Sequence, residues 1–285
     1  MPLPVVTRTL PLLTVDGLAF KDLNRSGRLD PYKDWRLPPA ARVSDLLSRM
    51  TLAEKAGTMV HANPPAVGSA ALPGAGAAWD EAGLRDLLLS RHITTFLNRL
   101  STGARQLAQQ HNALQAMAEQ GRLGIPVSLS SDPRSQFASS RGVSVTAVDF
   151  TQWPDPPGLA ATGDGELVRC HADLVRQEYL AVGIRIALSP MADLAVNPRW
   201  HRCSGTFGSH PQRAAELVRT YVEGMQHGAD GITASSVVSV VKHWVGYGAT
   251  APDGYDAHNH YGRHMALGSD DIEAHIQPFT GAFAA

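Results

Sequence analysis

Short apolar runs alternate with longer amphipathic ones along most of the chain, and this alternation constrains the fold more than any other feature. A run of four to eight apolar residues suits a buried strand. An apolar stripe at three- and four-residue spacing suits a helix, and their regular succession is the pattern of βα units around a parallel sheet. Strands are expected over 57–62, 93–98, 125–130, 184–189 and 237–243, and helices over 40–49, 81–90, 104–120, 164–181 and 211–226. In the helix from Ala104, Leu107, Leu114 and Met117 share one face while Gln109, Gln110 and Glu119 lie off it. Polar residues gather at the strand ends: Asn98 and Arg99, Ser131 and Asp132, Asp193, and Lys242 with His243. A βα barrel and an open doubly wound sheet both bind ligands there, so this placement leaves both folds open. No Gly-x-Gly-x-x-Gly follows the first strand, which disfavours a dinucleotide-binding sheet.

At 285 residues, 44% apolar and 18% charged, the chain is long enough for one large or two modest globular domains. Lys plus Arg total 25 against 26 Asp plus Glu, which leaves no basic surplus for a nucleic acid partner. Cys170 and Cys203 are too few for a disulfide framework and too far apart for a zinc site, and are expected to be packed thiols. Residues 1–8 lack the charged start and apolar core of a secretory leader, and no segment reaches the roughly 18 apolar residues of a membrane span. Cytoplasmic residence is therefore the default expectation, with no membrane partner, no cofactor and no metal.

Five stretches carry chemistry. Lys242-His243 closes the apolar run 232–241 and precedes glycines, which places an ammonium and an imidazole where a strand tip opens into a pocket. Ser131-Asp132-Pro133-Arg134 follows a strand, and the proline fixes the chain so that the Asp132 carboxylate can accept hydrogen bonds from vicinal hydroxyls, or else cap a turn. Asn197-Pro198-Arg199-Trp200-His201-Arg202 offers arginine forks and an indole face, both suited to a sugar, with Arg199 expected in an internal salt bridge. Residues 22–30 resemble a calcium loop with a glycine at its sixth position, but Lys33 stands at the twelfth, where a carboxylate belongs. A surface loop rich in Asx turns is the alternative. His258, His260 and His264 lack a completing carboxylate pair or cysteine, so a polar loop lining a pocket is expected rather than a metal site.

Taken in order, these segments resemble glycoside hydrolase family 3, the β-glucosidase and β-xylosidase group, from about Asp22 onward. Met50-Thr51-Leu52-Ala53-Glu54-Lys55 resembles the family's opening helix motif, and Ser131-Asp132-Pro133-Arg134 its first sugar-binding aspartate loop. Phe150-Thr151-Gln152-Trp153-Pro154 is similar to a loop of one bacterial branch, Asn197 to Arg202 to an Asp-Pro-Arg-Trp-Gly-Arg segment, and Lys242-His243 to the family's Lys-His pair. The resemblance implies that Asp132, Arg202, Lys242 and His243, with Arg263 as a fifth member, hold the hydroxyls of a nonreducing-end sugar. It also implies a retaining reaction, which needs two carboxyl groups flanking one glycosidic bond.

The chain departs from the family at two places. The family's nucleophile sits in Ser-Asp-Trp, and here Ser44-Asp45, Ser131-Asp132 and Ser269-Asp270 all lack the tryptophan. The nucleophile and general acid are therefore expected beyond Ala285. Gly205 stands where the family commonly has glutamate, and Ser209-His210 where it has Glu-Asp, so a relaxed pocket is expected. The expected class is α/β: an irregular segment 1–39, then a (β/α)8 TIM-barrel-like amino-terminal domain over 40–285, incomplete because five strands cannot close eight. The expected function is β-glucosidase-type hydrolysis of O-glycosyl bonds in β-linked glucosides or xylosides. This chain would carry the sugar-binding half-site and be inactive alone; the alternative is a noncatalytic carbohydrate-binding piece that meets a complementing chain or a second copy of itself.

Overall fold

The computed structural model describes residues 5–68, 74–136, 149–250, 265–268 and 271–285, and among them helices alternate with short parallel strands. The chain divides into two compact units, one of residues 1–100 and 105–129, the other of 101–104 and 130–285.

The first unit opens on an antiparallel hairpin, β1 (Leu12–Val15) with β2 (Leu18–Lys21). Asp16 and Gly17 join the strands with φ of 54° and 75°, the left-handed pair that a tight hairpin turn demands. The calcium-like stretch follows: residues 25–28 are exposed, Ser26 N–H donates to Asp22 Oδ1 and to Asn24 Oδ1 as in an Asx turn, and the centre of the loop is taken by the Lys33 ammonium. Asp22 and Lys33 are 2% and 4% exposed. The Lys33 ammonium lies 2.7 Å from Asp22 Oδ1, 2.9 Å from Asp30 Oδ2, 2.9 Å from Ser26 Oγ and 2.8 Å from the Arg28 carbonyl. The side chain expected to repel a cation is itself the cation, tethered and surrounded by oxygens. Burial alone would raise the Asp22 and Asp30 pKa values, but the hydrogen bond and charge of Lys33, joined by the backbone N–H groups of Gly27 and Ser26 at Asp22 and by Asn24 and Arg49 at Asp30, together outweigh it and hold both below the usual carboxylate range.

Helices α1 (Pro39–Arg49) and α2 (Leu52–Thr58) come next. Thr51 and Glu54 form a reciprocal capping box at the start of α2, and Arg122 holds Glu54 so firmly that its pKa is pulled down to about 2. That cap starts a helix where a strand from residue 57 is expected, and the strand shrinks to β3 (His61–Ala62). A side chain at Gly57 would stand 2.4 Å from the Arg91 carbonyl, so only glycine lets the helix pass there. β3 runs parallel to β7 (Thr95–Leu97). Two small pairings lie between and beside them, β4 (Ala66–Val67) with β6 (Ala78–Trp79) and β5 (Ala75–Gly76) with β8 (Arg99–Leu100). Asp80 caps α3 (Glu81–Arg85), which continues as a wider turn over Asp86–Ser90. The α4 helix (Ala104–Ala118) buries Leu107, Leu114 and Met117, the stripe read from the sequence. Just beyond it, the buried Glu119 carboxylate accepts from the backbone N–H groups of Arg8, Thr9 and Leu10.

The second unit begins in β9 (Ser128–Ser131), where Ser130 and Ser131 pair in parallel with β10 (Ile186–Ala187), which in turn pairs with β11 (Val238–Ser239). Four helices accompany them: α5 (Pro156–Ala161), α6 (Gly165–Val182), α7 (Pro211–Gln226) and α8 (Ile272–Phe283). Asp164 caps α6, and Gly183 ends it at φ 88°. Gly281 lets α8 lie against α7, since a Cβ there would stand 2.0 Å from the Ala215 carbonyl. The last strand is shorter than the expected 237–243. Ser236 Oγ accepts from Thr233 N at 2.8 Å, folding the start of the apolar run into a turn, and Ile232 is 65% exposed. Cys203 is half-buried and Cys170 exposed, so only one of the two thiols is packed.

Candidate functional site

The site lies in the second unit, at the carboxyl ends of β9, β10 and β11. Asp132 follows β9 directly. Its backbone carbonyl accepts from the Ser131 hydroxyl and from the Tyr179 hydroxyl, both at 2.9 Å, which anchors the loop to α6. Lys242 lies three residues past β11 and is pinned beside the extension of β10: its N–H donates to the Pro190 carbonyl at 3.1 Å, and its carbonyl accepts from Ala192 N at 2.6 Å. Its ammonium reaches Asp132 Oδ1 at 3.0 Å, joining residues 110 positions apart. Burial lowers the Lys242 pKa, and the Asp132 charge opposes that shift.

His243 is held by Asp193, whose carboxylate accepts from the His243 N–H at 3.1 Å and lies 2.7 Å from Nδ1. This contact fixes the ring's orientation. Burial pushes the His243 pKa below its ordinary value, and the Asp193 hydrogen bond and charge oppose that shift. Arg202, 1% exposed, donates from Nη1 to the Tyr247 hydroxyl at 2.9 Å, and its guanidinium lies 5.3 Å from the centre of the same ring. Tyr247 also meets the His243 ring edge-on at 4.5 Å and the Trp200 ring at 5.1 Å. Asp132, Lys242, His243 and Arg202 are thus linked through direct contacts and through Tyr247. Such a cluster can offer a carboxylate acceptor beside ammonium, guanidinium and imidazole groups to a polyhydroxylated molecule.

Arg263 and the three histidines 258, 260 and 264 fall outside the described residues. Trp200 contradicts one expectation: at 1% exposure it is a core side chain packed with Met191 and Tyr247, and its face is not available to a sugar. Sequence reasoning placed Asp193 at a strand tip without seeing that it grips His243, and gave Tyr247 no role. The tyrosine lies five residues after Lys242 between two glycines, and that spacing is the signal available for it. A Cβ on the neighbouring Gly248 would stand 2.0 Å from the Leu194 carbonyl, so glycine is what lets this turn close on the site.

The family profile described as Glycosyl hydrolase family 3 N terminal domain matches residues 51–284. The chain belongs to glycoside hydrolase family 3, and its fold is the α/β, TIM-barrel-like amino-terminal domain of that family. Among its relatives, the Periplasmic beta-glucosidase/beta-xylosidase of Dickeya chrysanthemi is 55% identical over 280 residues, which is 98% of this chain and 42% of that one. The Beta-glucosidase C of Emericella nidulans is 40% identical over 276 residues, 94% of this chain and 43% of that one. The chain therefore spans less than half the length of these relatives. Of the solved structures, a beta-glucosidase from Listeria innocua in complex with isofagomine aligns with a TM-score of 0.55 at 26% identity, covering 75% of this chain and 26% of that one. The exo-1,3/1,4-beta-glucanase of a Pseudoalteromonas species, at 19% identity and a TM-score of 0.67 over 87% of this chain and 29% of that one, shows likeness of fold.

Proposed function

We propose that residues 40–285 carry the half-site of a β-glucosidase-type enzyme that grips the terminal sugar of a β-linked glucoside or xyloside, with Asp132, Arg202, Lys242 and His243 as its hydroxyl-binding side chains and Arg263 as a fifth. The observation that carries this reading is the Asp132–Lys242 contact at 3.0 Å, a carboxylate and an ammonium from distant strand ends meeting beside a second pair, His243 and Asp193. The names of the Dickeya and Emericella relatives support the substrate class. Retaining hydrolysis needs a nucleophile and an acid, and without Ser-Asp-Trp the chain alone binds sugar but does not turn it over. Calorimetric titration with methyl β-glucoside tests the binding claim, with Asp132→Ala as control: binding that survives the substitution would refute it. Active-site-titratable turnover of an aryl β-glucoside by the purified chain would refute the inactivity.

A second reading, a piece that works with a complementing chain, is favoured by the first unit. No residue of α1 is buried, and Leu52 and Met59 beside it are 83% and 87% exposed. Activity appearing only on co-expression with a polypeptide that carries Ser-Asp-Trp would establish it. No described helix is long and apolar enough to cross a membrane. The Dickeya relative is named as periplasmic, which favours that compartment over the cytoplasmic default; fractionation of the native source decides.

A further inference from the structure

In a twelve-residue calcium loop, oxygens at positions 1, 3, 5, 7 and 9 face a central ion, a glycine at position 6 makes the turn, and a carboxylate at position 12 closes the shell. Counted from Asp22, residues 22–33 keep this plan in three dimensions. Gly27 stands at position 6 with φ of 71°, and its N–H donates to Asp22 Oδ2 at 2.8 Å, so the turn itself fixes the first carboxylate. Asp30, at position 9, directly precedes the short helix Pro31–Lys33, which puts Lys33 at position 12. The Lys33 side chain has no exposed surface, and its ammonium is surrounded at 2.7–2.9 Å by Asp22 Oδ1, Ser26 Oγ, the Arg28 carbonyl and Asp30 Oδ2. These are positions 1, 5, 7 and 9. Position 3 stays out of the shell, because Asn24 Oδ1 accepts from Ser26 N–H and its Nδ2 donates to Asp30. An ordinary buried ion pair does not call for four oxygens from alternate positions of one loop around one nitrogen.

We propose that residues 22–33 form a calcium-type site in which the Lys33 ammonium takes the place of the ion, so that the wild-type loop is indifferent to calcium and Lys33 alone keeps the metal out. The charges fit. Two carboxylates and an ammonium leave the shell at minus one, and a glutamate at 33 with a bound divalent cation leaves it at the same value, with Arg49 holding the outer oxygen of Asp30 in both cases. The distances fit as well: calcium takes its oxygens at about 2.3–2.6 Å, a few tenths of an ångström inside the present contacts, and the exposed residues 25–28 can absorb that contraction. Magnesium, at about 2.0–2.1 Å in a strict octahedron, asks for a larger one. The centre of the Tyr32 ring lies 5.9 Å from the ammonium, so a lanthanide in the same place is close enough to be excited through that ring.

The test is Lys33→Glu in the full chain, with terbium, calcium and magnesium as probes. Excitation of the aromatic rings should give saturable terbium luminescence at least about tenfold above that of the wild type, displaced by calcium at a roughly tenfold lower concentration than by magnesium. Calcium should raise the melting temperature of the variant by about 5 °C over its value in chelator, and that of the wild type by less than about 1 °C. Adding Asp22→Ala to Lys33→Glu should abolish both effects. Lys33→Ser, which vacates the centre without adding a charge, should bind terbium more weakly and with the same dependence on Asp22, and it decides the matter if Lys33→Glu does not fold in calcium. Terbium binding that survives Asp22→Ala, a calcium-dependent shift in the wild type as large as in the variant, or the absence of terbium binding by both Lys33 variants would overturn the proposal.

Discussion

Replacing Lys33 by methionine removes one ammonium and little volume, and the structure says what that costs. Asp22 keeps the backbone N–H groups of Ser26 at 3.1 Å and Gly27 at 2.8 Å but loses the ammonium it pairs with. Asp30 keeps Arg49 at 3.2 Å. Stranding one partner of a buried pair costs about 3–5 kcal/mol, a large share of the roughly 5–15 kcal/mol that holds a domain folded. The pH dependence separates this cause from lost packing. In the wild type the two carboxyl pKa values are depressed by folding, so their stabilisation is present above the ordinary carboxylate range near pH 4 and is lost as pH falls through the lowered values. In Lys33→Met the Asp22 carboxyl is buried without its cation, its folded pKa rises, and acidification relieves the variant. Urea unfolding followed by circular dichroism at pH 7 and pH 4.5 should therefore show a gap that narrows toward acid. Asp22→Asn in the Lys33→Met background should recover part of the loss. A gap below about 1 kcal/mol at pH 7, or one of the same size at both pH values, would show that the ammonium is not acting as a tethered counter-ion.

Further consequences can be checked in the second unit. Tyr247→Phe removes the hydroxyl that meets Arg202 but keeps the ring against His243 and Trp200, so glycoside affinity should fall about three- to tenfold with little change in melting temperature; an unchanged affinity would show that Arg202 needs no such support. Burial pushes the His171 pKa down to about 4, below its unfolded value near 6.5, so the unfolded chain takes up the proton first and stability falls as pH drops between those values, by on the order of 3 kcal/mol. His171→Phe should flatten the unfolding free energy over that window, and an unaltered slope would refute the assignment. Gly281→Ala forces a methyl group against the Ala215 carbonyl and should cost about 1–3 kcal/mol by urea unfolding, whereas a neutral result would mean that α8 can shift away from α7 at no cost.

The long amphipathic helices were legible because α4, α6 and α7 carry an apolar stripe over several turns, and no local feature competes with it. The five strands read from apolar runs were legible in place but not in length, while the hairpin β1–β2 and the short pairings of β4 with β6 and β5 with β8 carry no such run and went unread. The run at 232–241 looks like a uniform strand by composition, yet hydroxyl-to-backbone bonds within 233–236 divert its first half into a turn, and side-chain chemistry of that kind outweighs apolar content. The site was legible at its charged members, since Asp132 and Lys242 sit at strand tips where a parallel sheet opens. Its supports were not: nothing local to Asp193 or Tyr247 announces a partner 50 or 45 residues away, and only packing decides whether such a group meets the site. Trp200 illustrates the reverse error, an aromatic with the right composition for a ligand and a core position. At residues 22–33 the sequence showed an ammonium where calcium's twelfth ligand would stand, but not that this ammonium folds back into the centre of the loop, because a loop pattern specifies where a positive charge is wanted and not what supplies it.

The contact between Glu119 and the backbone of Arg8, Thr9 and Leu10 bears on how the protein tolerates trimming. Those residues belong to no helix or strand and look expendable, yet cutting the polypeptide after Leu10 would leave a shielded acid with Lys21, at 3.7 Å, as its main remaining anchor. A protease that nicks this leading strip would loosen the far end of α4, so damage at the amino terminus would register more than a hundred residues down the chain.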